Sequence, residues 1–156
     1  MARKLFGLSR EPGKNFIAGL SMGGYGAYKI ALSFPESYRA AASLSGVLDI
    51  THVLCNQTNP LMEDAEVDNI FPTRTPDTSN CVMKLLGMQA SAGKKLPALL
   101  QCCGTEDFLY QANQHFKDFA GRLNVCHTYW ESPGSHSWEY WDANIEKIIT
   151  LFRQMD

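Results

Sequence analysis

The sequence predicts an α/β fold, a parallel sheet with helices on both faces. Three observations lead there. Short apolar runs alternate with amphipathic helical stretches along a chain of 156 residues, the pattern of strands joined by helical crossovers. One run passes into Gly19-Leu20-Ser21-Met22-Gly23, a G-x-S-x-G elbow in which a buried strand turns sharply into a helix with a serine at its tip. Ser21, Asp107 and His136 each follow a predicted strand, so they gather at the carboxyl rim of the sheet, where ligands bind in this architecture.

The elements follow in order. Met1 to Lys14 reads as the end of a helix (Lys4-Leu5-Phe6) and a turn (Glu11-Pro12-Gly13). Residues 15–20 are an apolar run ending at the elbow, which suits a buried strand. A Cβ at Gly19 or Gly23 is expected to clash in so tight a turn. Met22 to Phe34 is a helix stopped by Pro35. Its early Gly23, Gly24 and Gly26 each cost roughly 1 kcal/mol relative to alanine, an expense that close approach of helix to sheet would offset. Ala40 to Ser45 is the second strand, closed by Gly46. Residues 50–95 form an irregular excursion, punctuated by Pro60, Pro72 and Pro76 and acidic at Glu63, Asp64, Glu66 and Asp68. Short helices are expected near Met62–Ile70 and Asn80–Ala90. Leu96 to Cys103 is the third strand, with Pro97 tolerated at its start, and Gly104 to Asp107 is the loop beyond. The next helix is expected to bury Phe108, Ala112, Phe116, Phe119 and Leu123. Val125 to Trp130 is the fourth strand. The last helix starts after Ser137, its expected N-cap, with Glu139 favourable in the first turn. It carries Trp138, Trp141, Ile145, Ile148, Ile149 and Phe152 on one stripe.

Composition narrows the function. A hydrophobic fraction of 45% and this length suit a single globular domain over 1–156. A net charge of −2 offers nothing to nucleic acid or an anionic membrane, and no apolar run reaches the ~18 residues of a membrane span. The N-terminus lacks a signal peptide's apolar stretch. Cys55, Cys81, Cys102, Cys103 and Cys126 contain no C-x-x-C pair; read as reduced and mostly buried, they point to a cytoplasmic location. No histidine, cysteine or acidic cluster has metal-site spacing, so no metal is expected.

The chemistry follows from residue types. A serine hydroxyl is a weak nucleophile until an imidazole takes its proton, and the imidazole needs a carboxylate to fix its tautomer and stabilise its charged form. Ser21 is the candidate nucleophile, His136 the base and Asp107 the acid, with Glu106 the alternative acid. Asp107 could also cap the helix expected from Phe108. The N–H of Met22, the residue after the nucleophile, is a candidate oxyanion donor, and such donors are each worth ~3–4 kcal/mol in the transition state. His136 lies in a Ser/Pro/Gly loop after the last strand, where a base belongs; His52, His115 and His127 are read as packing or surface residues. Trp138 and Trp141 are read as core anchors rather than pocket walls. The order Ser…Asp…His is that of α/β-hydrolases.

Three segments carry a resemblance. Asn15-Phe16-Ile17-Ala18-Gly19-Leu20-Ser21-Met22-Gly23-Gly24-Tyr25-Gly26-Ala27 resembles the elbow of bacterial tributyrin and acetyl esterases, within the esterase group that also holds S-formylglutathione hydrolase (esterase D). Cys103-Gly104-Thr105-Glu106-Asp107-Phe108-Leu109-Tyr110 is similar to that group's acid loop, and Pro133-Gly134-Ser135-His136-Ser137-Trp138-Glu139-Tyr140-Trp141 to its histidine loop. Trp138-Glu139-Tyr140-Trp141 favours the tributyrin/acetyl branch. The resemblance implies the C-terminal part of an α/β-hydrolase fold, hydrolysis of short acyl esters (acetylated sugars among the candidates) and no cofactor.

Relatives of this kind place about half their sheet before the elbow, including the loop that gives the second oxyanion N–H. The strand at Phe16–Leu20 is therefore expected to have an open edge, an association hazard. Three arrangements would account for it: a C-terminal fragment, edge-to-edge pairing with a second copy, or completion by a separate chain. Truncation with self-association into a homo-oligomer is the favoured expectation. Two functional readings stay open, an active serine esterase and a weakly active or inactive remnant that retains the three residues.

Overall fold

A computed structural model describes residue 9 and residues 11–55, 68–69 and 76–155. Among these residues, four strands form one all-parallel sheet in the order of the chain: β1 (Phe16–Leu20), β2 (Ala40–Leu44), β3 (Ala98–Gly104) and β4 (His127–Ser132). The register runs Phe16 opposite Ala40, Ala40 opposite Ala98, and Leu99 opposite His127. Between and after the strands lie α1 (Met22–Ser33), α2 (Ile50–Cys55), α3 (Val82–Ser91), α4 (Tyr110–Gly121) and α5 (Trp138–Gln154).

Helices cover both faces, as expected. Leu99 and Ala41 face a core built with Tyr28, Leu32, Leu54, Leu86 and Phe116 from α1 to α4. Ala42, Leu44, Leu100 and Cys102 face the opposite way, onto Tyr140, Trp141 and Ile148 of α5. β2 is buried along its whole length, and its Ala-Ala-Ala-Ser run lets both layers approach closely. Gly24 of α1 sits against this strand: a Cβ there would meet Ser43 Oγ at 2.6 Å and Gly46 Cα at 3.0 Å. Close approach thus explains Gly24, whereas Gly23 and Gly26 have nothing within 4 Å of an added Cβ.

Several elements depart from expectation for local reasons. β1 is half-buried rather than buried, with Ala18 exposed, because β2 pairs with one side of it and, among the described residues, no strand pairs with the other. The fourth strand begins two residues later than expected, since Val125 bends back to bond Leu123 O at 2.7 Å after α4. Leu109, not Phe108, is buried ahead of α4, and Phe108 is 42% exposed; the helix starts at Tyr110, which shifts the stripe. On α5, Trp138 is 65% and Ile149 44% exposed. The stripe is narrower than expected and is carried by Tyr140, Trp141, Asn144 and Ile148, with Asn144 accepting the Trp130 indole N–H at 2.6 Å. α2 was not expected. The helix expected near Met62–Ile70 falls almost wholly outside the described residues, as do the N-terminal helix end at Lys4-Leu5-Phe6 and most of the acidic run. The one near Asn80–Ala90 is α3.

Among the described cysteines none is disulfide-bonded; Cys81, Cys102 and Cys103 are buried and Cys126 is exposed. Burial pushes the Cys102 thiol up to about 12 and raises Cys103 strongly, so neither offers a thiolate at neutral pH. No helix among the described residues is long and apolar enough to cross a membrane.

Candidate active site

The site starts from a backbone turn. Ser21 has φ 52° and ψ −124°, a conformation costly for any residue with a Cβ and kept only where the surroundings enforce it. Three backbone bonds do so: Ser21 N–H donates to Leu44 O at 2.9 Å, and Ser21 O accepts from Gly24 and Tyr25 N–H at 3.0 and 3.1 Å. Gly19 makes the turn possible, since a Cβ there would stand 2.2 Å from Gly23 O. Gly23 itself does not clash, against expectation, because its α-carbon faces open space. Met22 occupies the first position of α1, where the backbone N–H has no partner within the helix and points outward at the positive end of the dipole.

The loops after β3 and β4 are held to each other by main chain. Thr105 N–H donates to Ser132 O at 3.1 Å, and Glu106 N–H to Gly134 O at 3.0 Å. The approach is so close that a Cβ on Gly104 would stand 2.1 Å from Gly134 O. Gly134, at φ 150°, presses against the Tyr140 ring. These contacts join the carboxyl ends of β3 and β4 into one rim.

Across that rim the three candidate side chains meet. Ser21 Oγ lies 2.9 Å from His136 Nε2. Nδ1 of the same ring lies 2.9 and 3.1 Å from the two carboxylate oxygens of Asp107. The Asp107 side chain is fully buried and the His136 ring almost so. Asp107 Oδ1 also accepts the Leu109 N–H at 2.8 Å, so the carboxylate is fixed in a turn before α4 rather than capping a helix at Phe108. Glu106 is exposed and takes no part in this chain of bonds. With the Nδ1 proton on the aspartate side, Nε2 is an acceptor facing the hydroxyl. The arrangement can therefore draw a proton from Ser21 Oγ and hold the imidazolium that results.

Aromatic rings surround His136. Phe108 lies 4.6 Å and Trp141 4.8 Å from the His136 ring, centroid to centroid, and Trp138 packs edge-on to Trp141 at 5.4 Å. Of the two tryptophans only Trp141 anchors the core; Trp138 stands in solvent beside the site. Phe108 is the contact that sequence reasoning missed. Its adjacency to Asp107 was the available signal, overridden by a helical stripe that starts two residues too early. The remaining histidines take other places. His127 Nε2 lies 2.9 Å from Gln101 Oε1, and burial lowers its pKa to about 4. His52 and His115 meet each other at 4.7 Å.

Comparison with known proteins gives a family and several structural relatives. A family model described as "Putative esterase" matches residues 6–152. An acetyl esterase of Caldicellulosiruptor saccharolyticus is 27% identical over 149 residues, covering 92% of this chain and 56% of the relative. Among solved structures, the fluorophosphonate-binding serine hydrolase F (FphF) of Staphylococcus aureus superposes with a TM-score of 0.83 at 35% identity, covering 97% of this chain and 58% of that one. The S-formylglutathione hydrolase FrmB of the same organism gives 0.86 at 34% identity, covering 97% and 59%. The chain thus spans a little over half the length of the relatives it matches.

Proposed function

The chain belongs to the Putative esterase family, and from that premise we propose that it is a serine esterase acting on short-chain, acetyl-type acyl esters, acetylated sugars among them. The observation that carries the proposal is the continuous relay from Ser21 Oγ through His136 to Asp107. In the reaction His136 Nε2 takes the hydroxyl proton as Ser21 Oγ attacks the ester carbonyl. Asp107 holds the ring and its positive charge. The Met22 N–H donates to the oxyanion. His136 then returns the proton to the leaving alcohol, which leaves an acetyl group on Ser21. A water molecule, deprotonated by the same imidazole, releases the acid and restores the serine. The acetyl-type substrate rests on the name of the 27% identical relative and on the exposed Met22, next to Ser21 in the chain, and Phe108, packed on His136, apolar side chains that suit a small acyl group. Free thiols at Cys81, Cys102, Cys103 and Cys126 favour a reducing, cytoplasmic setting.

A second reading has its own observation. The outer edge of β1 is unpaired among the described residues. On this reading the chain turns over slowly until a second copy, or another chain, extends the sheet at Phe16–Leu20 and adds a donor. Hydrolysis of p-nitrophenyl acetate by the wild type and Ser21→Ala, with intact-mass detection of a fluorophosphonate adduct, tests both. The active reading expects labelling at Ser21 and turnover that falls at least about a thousandfold in the variant. Labelling with slow turnover that rises with protein concentration favours the second. Absence of both labelling and Ser21-dependent turnover refutes the enzyme.

A further inference from the structure

The fold brings together three residues that the sequence keeps far apart. Asp49 ends the loop after β2, His52 lies in the first turn of α2, and His115 lies in the middle of α4. One ligand atom from each lies within 4.8 Å of the other two. The absence of metal-site spacing in the sequence is no guide here, because 63 positions separate His52 from His115. We propose that Asp49, His52 and His115 form a binding site for a late first-row divalent metal ion, Zn²⁺ above all, which fastens α2 to α4.

The donors are held before any ion arrives. Asp49 Oδ1 accepts the His52 backbone N–H at 3.0 Å, which fixes the carboxylate and aims Oδ2 at His115 Nδ1, 2.9 Å away. The two imidazoles meet edge to face, centroids 4.7 Å apart and planes at 88°. The loop and helix that carry these residues are tied behind them by Asn113 Nδ2, which donates to Gly46 O at 3.0 Å. Two imidazoles and a carboxylate are a donor set for zinc and its neighbours rather than for calcium or magnesium, which take mainly oxygen ligands. Tetrahedral donors at zinc distances stand about 3.3 Å from one another, so small side-chain rotations close the site. The ion takes the place of the hydrogen now between Asp49 and His115; the neutral ring shifts that proton to Nε2, which frees the Nδ1 lone pair for the metal. The His115 side chain is 43% exposed, which leaves room for water in the fourth position. The ligands do not overlap the Ser21 relay, so the ion's role is to hold the start of the 50–95 excursion on the body of the fold.

Titration calorimetry of the full chain with Zn²⁺, in a non-chelating buffer at neutral pH, tests the proposal. One ion per chain is expected. His52→Gln and His115→Gln should each weaken binding at least tenfold, while Cys126→Ser, at the opposite end of the sheet, should leave it unchanged. Zn²⁺ at a hundredfold excess over its dissociation constant should raise the melting temperature of the wild type by about 5–10 °C and that of His52→Gln by much less. His52→Gln leaves the Asp49–His115 pair in place, so its result stands even where His115→Gln folds poorly. Absence of binding by the wild type overturns the proposal. So does binding that survives in both glutamine variants, which would place the ion on His136 or Cys126.

Discussion

A Cβ placed on Gly19 would stand 2.2 Å from the carbonyl oxygen of Gly23, whereas one placed on Gly23 would meet nothing within 4 Å. The two glycines of the elbow are therefore unequal. Gly19→Ala should cost at least about 3 kcal/mol, because backbone and not a flexible side chain must move. Gly23→Ala, in regular helix, should be neutral or stabilising by up to about 1 kcal/mol. Urea midpoints of the two variants check this, and equal midpoints would refute it. Asp107 allows a second comparison. An asparagine keeps an Oδ1 for the Leu109 N–H, but its amide presents N–H to His136 Nδ1 and favours the wrong tautomer. On the proposed mechanism, Asp107→Asn should lower kcat for p-nitrophenyl acetate by about 10³–10⁴ while the melting temperature moves little. An active variant would make the carboxylate structural only. The elbow glycine and the meeting of Ser21, Asp107 and His136 at one rim were legible in the sequence, since the elbow demands a glycine before the serine and the candidate acid and base follow strands. The symmetry of the two glycines was misread, because a motif records which residues occur and not which backbone atoms crowd them.

His127 shows how one element carries a pH dependence. It opens β4, packs at 5.9 Å from Phe116 of α4, and its Nε2–H donates to the buried Gln101, whose amide donates in turn to Asn113 Oδ1. Burial lowers the ring's pKa to about 4 in the folded protein against about 6.5 in an unfolded chain. Between these values the unfolded state binds the extra proton. The stabilisation is thus whole above pH 6.5 and lost as pH falls toward 4. The full shift would be worth about 3 kcal/mol; for a half-buried ring, about 1–2 kcal/mol is the reasonable expectation. Melting temperatures from pH 7 to 4 should fall more steeply for the wild type than for His127→Gln, and parallel curves would remove His127 as the cause. The strand was visible in the sequence as a β-rich run, but its start was not. Which residue leaves the turn after α4 is decided by the bond from Val125 N–H to Leu123 O, and no apolar pattern encodes that. α2 was hidden for a related reason: six residues are too few to display a helical period, and Asp49 specifies the start through a side-chain bond to His52 N–H. The exposed Trp138 is a third case, since its place on the α5 stripe could not show that it lies past the end of the sheet.

At the scale of the molecule the decisive feature is the contrast between β2 and β1. β2 has neighbours on both sides and is buried throughout, whereas β1, among the described residues, has β2 on one side only and leaves Ala18 exposed and Phe16, Ile17 and Leu20 half-buried. An apolar edge with unpaired N–H and C=O groups is a template for another strand. We propose that the chain folds as one domain and self-associates through this edge. A two-fold pairing of β1 with its copy would continue the sheet and cover these residues, with the Phe16–Phe152 stack, 4.7 Å between centroids, at its border. Thermal unfolding should then show one cooperative transition whose midpoint rises with protein concentration, because association stabilises only the folded chain. Light scattering after size exclusion should give a dimer or larger species at tens of micromolar. Ala18→Lys sets a charge on the exposed position of the edge without disturbing the pairing of β1 with β2. It should return the chain to a monomer and abolish the concentration dependence of the midpoint, leaving the Ser21–His136–Asp107 relay at the carboxyl rim of the sheet in place. A wild-type chain that elutes as a monomer with a fixed midpoint refutes edge pairing. An Ala18→Lys chain that still associates moves the contact away from β1.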